Sequence, residues 1–209
     1  MRTPPTLAVR ELRDDEGLTA AAVLARGMRD NPGHVAAFGD DPQRRRRSLQ
    51  RMFTAVIEAG VAQQRICAVD GGVIVGVAAM AAPGRCRPSV WQKTRITASL
   101  APLGAAALAR VVAWQRVWRA HDPDEPHSHF GPLAVDAHLQ GRGIGSLLMH
   151  EYTRGLDTAR LLGYLETDKP ENVSFYERHG FAVVAQARVL GDPNWFMCRE
   201  PLQVSPPGA

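Results

Sequence analysis

The apolar positions of this chain fall into stretches of two periods, alternation and helical spacing, and the switches between them lay out a series of elements. Thr6 to Glu11 alternates as a first strand does, and Asp14-Asp15 marks the start of a helix over Gly17 to Arg29. Asn31-Pro32-Gly33 breaks that helix, and Asp41-Pro42 opens a second one running to Ala59, stopped by Gly60. Arg65 to Val69 and Val73 to Ala81, joined by Asp70-Gly71-Gly72, read as a β-hairpin. Pro88 to Ala120 reads as helix with a break at Pro102-Leu103-Gly104. A strand over Ser128 to Val135, a helix over Gly143 to Leu162 and a strand over Tyr164 to Thr167 follow. Then come a short helix over Val173 to His179, with Gly180 at its C′ position, and two strands, Phe181 to Leu190 and Trp195 to Glu200, around Gly191-Asp192-Pro193-Asn194. Ile144, Leu148, Tyr152, Leu156, Ala159 and Leu162 recur at about 3.6 residues and define the inner face of the Gly143 helix. With no repeat and no linker, the pattern predicts one α/β domain over residues 1–209 with a mixed sheet.

Composition narrows the class. At 45% apolar and 22% charged residues, the 209-residue chain is neither disordered nor short of material for a core. Its net charge is +4, and every cation except Lys93 and Lys169 is an arginine. That balance favours anionic ligands but is too small for a nucleic-acid-binding arm. Arg44 to Arg47 fan around a helix and read as a solvated face. Cys67, Cys86 and Cys198 are far apart and odd in number, which points to a reducing, cytoplasmic compartment. Met1 to Pro5 lead into a polar segment without the apolar run of a signal peptide. Ala98 to Trp114 is interrupted by Pro102, Gly104 and Arg110 and is too short to span a membrane. His121, His127 and His129 lie close in sequence, but no Cys or carboxylate stands at helical spacing beside them, so no metal site is expected.

The chemistry concentrates at Leu133-Ala134-Val135 and the following Gln140-Gly141-Arg142-Gly143-Ile144-Gly145-Ser146. An apolar strand runs into a glycine-rich turn that opens an amphipathic helix. The first N–H groups of such a helix have no internal partners, and the dipole adds positive potential, so the turn can hold a phosphate or pyrophosphate. A Walker A loop is excluded, because no Gly-Lys-Ser or Gly-Lys-Thr follows the glycines. A dinucleotide fingerprint is excluded too, because Gly141, Gly143 and Gly145 have the wrong spacing and lie two-thirds along the chain.

Gln140, Gly143 and Gly145 match the Q/R-x-x-G-x-G/A signature of the GNAT superfamily of acetyl-CoA-dependent N-acetyltransferases, and the chain resembles that superfamily. Asn172-Val173-Ser174-Phe175-Tyr176-Glu177-Arg178-His179-Gly180-Phe181 is similar to a second segment of the same superfamily. Glu125-Pro126, Glu166-Thr167 to Phe181, and Trp195 to Arg199 resemble the puromycin acetyltransferase-like subgroup. The resemblance implies a mostly antiparallel sheet of about seven strands, splayed between the fourth and fifth and flanked by helices.

It also implies acetyl-CoA as cosubstrate, with no metal. The pantetheine arm would lie along the Leu133-Ala134-Val135 strand, paired to the backbone of Leu133 and Val135. Gln140 through Ser146 (Gly141, Arg142, Gly143, Ile144 and Gly145 between them) would hold the pyrophosphate, and Asn172 would touch the arm from the other side. Tyr176 is the implied acid for the departing thiolate. His129, of the same strand parity as Leu133, is a candidate base, with Glu166 as its rival. His127 is expected to lie too far from the acetyl group. No cysteine sits in either motif, so the expected reaction is direct attack in a ternary complex rather than an acyl-enzyme. The expected acceptor is a primary amine of a small molecule, because the Pro88 to Ala120 helix would wall off a peptide groove. The alternatives are a protein N-terminus or lysine and a non-catalytic acyl-CoA-binding module. No nucleic-acid or membrane partner is expected; a homodimer stays open.

Overall fold

A computed structural model describes residues 7–202. Thr6, at the start of the expected first strand, and Met1 to Pro5 lie outside the described residues. The strands are β1 (Ala8–Glu11), β2 (Gln64–Asp70), β3 (Val73–Ala81), β4 (His127–Val135), β5 (Leu162–Thr167), β6 (Ala182–Val189) and β7 (Asp192–Arg199). The helices are α1 (Gly17–Gly27), α2 (Pro32–Phe38), α3 (Pro42–Glu58), α4 (Val90–Leu100), α5 (Ala105–Ala120), α6 (Ile144–Ala159) and α7 (Pro170–Glu177). The seven strands form one sheet in the order β1-β2-β3-β4-β5-β7-β6. Every neighbouring pair is antiparallel except β4 and β5.

Local chemistry explains most boundaries. Asp70 pairs with Val73, leaving Gly71 and Gly72 as a two-residue loop with φ of 56° and 87°, which glycine adopts without steric cost. Asp41 caps α3 by accepting the N–H groups of Gln43 (2.8 Å) and Arg44 (3.1 Å), and Pro42 fits the first turn, where no donor is needed. The end of α7 is a Schellman motif: Phe181 N–H donates to Tyr176 O (3.2 Å) and Gly180 N–H to Glu177 O (2.9 Å).

Several boundaries differ from the sequence expectation. Pro32 does not simply end a helix; it begins α2, at a position that tolerates its missing N–H. The first helix stops at Gly27, short of Arg29. The α6 helix ends at Ala159, with Arg160 left-handed at φ 52°; Leu162 belongs to β5, and Ala159 is exposed rather than on the inner face. The α7 helix occupies Pro170–Glu177 and starts three residues before Val173. The last turn is Leu190-Gly191, so Asp192, Pro193 and Asn194 lie in β7. Pro193 is tolerated because β5 pairs with β7 only from Trp195 onward, leaving that stretch unpartnered on one side.

The sheet separates two apolar layers. On one side α1, α2, α3 and α5 pack Leu24, Ala37, Phe38, Leu49, Phe53 and Trp114 against Cys67, Val77 and Ala134. On the other, α6 and α7 pack Leu148, Met149, Tyr152 and Tyr176 against Val75, Phe130, Leu165 and Met197. Within the arginine run, Arg45 departs from the solvated reading. It is 4% exposed and donates to the carbonyls of Arg29 (2.6 Å) and Gly39 (2.7 Å) and to Asp30 (2.6 Å), pinning α3 to the loop around α2. Arg44, Arg46 and Arg47 lie on the outer turns of the helix. Among the described residues, no helix is long and apolar enough to cross a membrane.

One close approach fixes the path of β4. A Cβ added to Gly27 would stand 2.4 Å from the carbonyl oxygen of Val135 and 2.9 Å from the Cβ of Ala134. Backbone cannot yield there as a flexible side chain would. Gly27→Ala is therefore expected to cost about 1–3 kcal/mol, read as a lower midpoint of thermal unfolding. An unchanged midpoint would show that α1 does not rest on β4 this closely.

Candidate active site

The β4 and β5 strands pair only over His127–Leu162, Ser128–Gly163 and His129–Tyr164, then diverge. On its other edge β4 stays with β3, where Val135 faces Gly76 and Leu133 faces Ala78. Asp136 N–H donates to Val75 O at 2.8 Å, which makes Val135–Gly76 a non-hydrogen-bonded pair. The backbone groups of Leu133 and Val135 therefore face away from β3 and into the gap. Ala134, by the same alternation, turns its backbone groups toward Val77. The divergence has a local cause: Gly131 and Pro132 stand opposite Ala79 alone, a bulge at a residue that lacks an N–H.

The end of β4 is held from two directions. Gln140 Nε2 donates to Val135 O and to Gly27 O, both at 3.1 Å. Arg26 pairs with Asp136 at 2.6 Å, and that guanidinium holds the Asp136 carboxyl below its ordinary value. The Gln140 side chain is thus a clasp between α1 and β4, so a ligand could use only its backbone. The turn that follows has Gly141 at φ 77° and Gly143 at φ 81°, both left-handed. Gly143 caps the 16-residue α6 with no side-chain hydrogen bond, so the first N–H groups of the helix receive no side-chain cap. Gly141, Arg142, Gly143 and Ser146 are exposed. The Ile144 side chain is buried 6% exposed in the core, so only its amide faces the turn. A Cβ on Gly145 would meet Phe175 at 3.5 Å, so α7 closes one wall of this mouth. Asn172 Nδ2 donates to Thr167 Oγ1 at 3.2 Å, on the β5 side of the gap.

Where the strands part, His129 Nε2 and Glu166 Oε2 lie 2.8 Å apart, both side chains largely buried. The two rival base candidates form one pair. Burial alone would lower the imidazole's affinity for a proton, but the Glu166 carboxylate outweighs it, and the His129 pKa is raised above its ordinary value. Tyr176 on α7 packs edge-on to Phe175 (5.2 Å between centroids) and Phe181 (6.2 Å). Burial, and then the Asp168 and Glu166 carboxylates, push its hydroxyl well above the ordinary tyrosine range, so it is a protonated group at neutral pH.

Four residues here escaped the sequence reading. Gly27 fixes β4 from α1. Asp168 accepts from Gly33 N–H at 2.8 Å and seats α2 beside the site. Tyr164 lies edge-on to both His127 (5.3 Å) and His129 (5.1 Å), and its hydroxyl is buried without a partner among the described residues. Asp122 stands 3.1 Å from His127 Nε2. None lies in a local motif; only tertiary pairing reveals them. His121 leaves the histidine group and stacks on Phe196 at 4.1 Å.

Comparison with known proteins agrees with the GNAT resemblance. Residues 104–183, which hold β4, the glycine turn, α6, β5 and α7, match the model of the acetyltransferase (GNAT) domain. The chain carries a GNAT acetyltransferase domain. The chemistry of such a domain is acetyl-CoA-dependent N-acetyl transfer. Solved GNAT structures share its whole fold. A Corynebacterium glutamicum acetyltransferase related to histone acetyltransferase HPA2 is 22% identical, with a TM-score of 0.71, over 96% of this chain and 98% of that one. A polyamine N-acetyltransferase from Drosophila melanogaster, which forms N-acetylagmatine, is 16% identical at TM-score 0.62, over 93% of this chain and 100% of that one. A GNAT family acetyltransferase from Brucella melitensis, solved in complex with acetyl-CoA, is 16% identical at TM-score 0.53, over 98% and 94% of the two chains. The splayed pair, the mostly antiparallel seven-strand sheet and the flanking helices are those the GNAT resemblance implied.

Proposed function

We propose that the chain works as a single acetyltransferase domain that moves acetyl from acetyl-CoA to a primary amine of a small molecule. The observation that carries this reading is the continuity of one track. Backbone of Leu133 and the Val135 N–H, turned away from β3, lead to the open first turn of α6, and the His129–Glu166 pair sits where the track opens. A peptide-like pantetheine arm suits the free edge of β4, as an added strand would. The pyrophosphate suits the amides of Gly141 through Ser146 with Arg142 beside them.

Each residue then has a step. The His129–Glu166 pair removes a proton from the ammonium, leaving a lone pair to attack the thioester carbon. The carbonyl oxygen, gaining charge, accepts from the Leu133 N–H. As the C–S bond breaks, Tyr176 supplies the proton that the thiolate takes up. No covalent acyl-enzyme is needed, so both substrates are present together.

The α5 helix supports a small acceptor, because it packs Trp114 into the apolar layer on the Ala134 face of the sheet. A peptide acceptor is the second reading, favoured by the match to the HPA2-related protein. Release of coenzyme A thiol over parallel panels of small primary amines and of lysine-bearing or free-N-terminal peptides separates them. Turnover with small amines alone is expected; turnover with peptides alone would replace the acceptor. Binding of acetyl-CoA without release by either panel would make the chain a binding module.

A further inference from the structure

Two imidazoles, a carboxylate and a thiol meet at the base of β4. His127 Nδ1 lies 2.8 Å from the Glu125 carbonyl, which can only accept, so that nitrogen carries the hydrogen. Nε2 of the same ring lies 3.1 Å from Asp122 Oδ1. His129 repeats the arrangement. Its Nε2 donates to Glu166 at 2.8 Å, and its Nδ1 lies 4.0 Å from the same Asp122 oxygen. Cys86, in the loop between β3 and α4, completes the group: ligand atoms of Cys86, His127 and His129 all lie within 4.8 Å of one another.

We propose that Cys86, His127 and His129, with Asp122 beside the two rings, form a binding site for a zinc-like divalent cation at the root of the β4–β5 gap. A thiolate, two imidazoles and a carboxylate are a soft-to-borderline donor set that suits tetrahedral zinc. The surroundings have the form that metal-binding histidines take, with each second ring nitrogen tied to a carbonyl or carboxylate that fixes the tautomer. Asp122 is held the same way, since its Oδ2 accepts from Arg87 Nε at 2.9 Å. The charges suit a dication: Cys86, Asp122 and Glu166 supply three negative charges once the thiol proton has left for solvent, and Arg87 offsets one. The pocket is shielded, with side-chain exposure of 5% at His127, 10% at Asp122 and 21% at His129. Donors around tetrahedral zinc stand roughly 3.5 Å apart, so a cation would draw Cys86 and Asp122, both on loops, toward the two rings. The expectation of no metal rested on spacing along the chain; the fold brings Cys86 and Asp122 in from two other segments. A bound cation would tie those two loops to the root of β4. With its Nδ1 on the cation, His129 would be held as an N–H donor to Glu166, so a pH profile governed by His129 belongs to the metal-free protein.

The test is a titration of the reduced, metal-stripped protein with Co²⁺ alone, followed by absorbance. One equivalent should bring up tetrahedral d–d bands together with a thiolate-to-cobalt charge-transfer band, and Zn²⁺ should bleach both. Cys86→Ser should abolish the charge-transfer band, Cys198→Ser should leave it, and His127→Asn should weaken uptake by at least about 10-fold. Cys86 lies on a half-exposed loop, so its variant stays informative even if His127→Asn misfolds. Absence of stoichiometric uptake, or a charge-transfer band that survives Cys86→Ser, overturns the proposal. Coenzyme A release is not read in this experiment, so its outcome and that of the acetyl-transfer reading are independent.

Discussion

Tyr176→Phe is expected to lower kcat by about 10²- to 10³-fold while leaving the affinity for acetyl-CoA within about two-fold. The substitution deletes one oxygen. The ring contacts with Phe175 and Phe181 remain, and the Schellman turn that holds the end of α7 uses only the Tyr176 carbonyl. Folding and coenzyme binding should therefore be almost unaffected. What is lost is the proton for the departing sulfur. The hydroxyl suits that role because burial and two nearby carboxylates keep it protonated, so the proton is present on every turnover and moves only when a strongly basic thiolate forms. A kcat equal to wild type would remove Tyr176 from the chemistry and leave it as a core aromatic. A large rise in the dissociation constant for acetyl-CoA would make its role one of binding.

The second large effect is a pH dependence tied to one hydrogen bond. The base must be unprotonated to accept a proton, so kcat/KM should rise with pH and level off above the His129 pKa. Glu166 raises that pKa, so the inflection should lie above the ordinary histidine value. Glu166→Gln removes the charge and keeps the shape. Burial, which lowers the value, is then opposed only by the Asp122 carboxylate, and the inflection should move to lower pH. The plateau rate should also fall, by about 10²-fold or more, because the amide neither attracts an ammonium nor shares its proton. A profile that keeps its inflection in Glu166→Gln would dissociate the pair from the titration. In that case water, not His129–Glu166, would deprotonate the amine.

The motifs that are local in sequence were legible, and the pairings that are distant were not. The glycine turn, the Gly180 cap, the Gly71-Gly72 hairpin and the broken helix at Pro102 to Gly104 each depend on a few adjacent residues whose backbone preferences are strong. Pro32 and Pro193 were misread because proline has two meanings: it ends an element in one setting and is tolerated at a first turn or free edge in another. Only the fold tells which. Gly27 shows the same limit, since nothing around it in sequence predicts a carbonyl 2.4 Å from its missing Cβ. His129 and Glu166 were found as rivals because each was read on its own strand; the parallel pairing of β4 and β5 makes them one unit. Ala134 was grouped with its neighbours, and only the pairing with β3 separates it from Leu133 and Val135.

That separation gives the most direct test of the central claim, that acetyl-CoA lies along the open edge of β4. Backbone amide hydrogen exchange, resolved residue by residue, should be measured with and without acetyl-CoA. The Leu133 and Val135 amides, which face the gap, should slow on binding, together with those of Gly143 through Ser146 at the start of α6. The Ala134 amide, already bonded to Val77, should change much less. Saturating acetyl-CoA that leaves Leu133 and Val135 exchanging at their free rate would contradict the account.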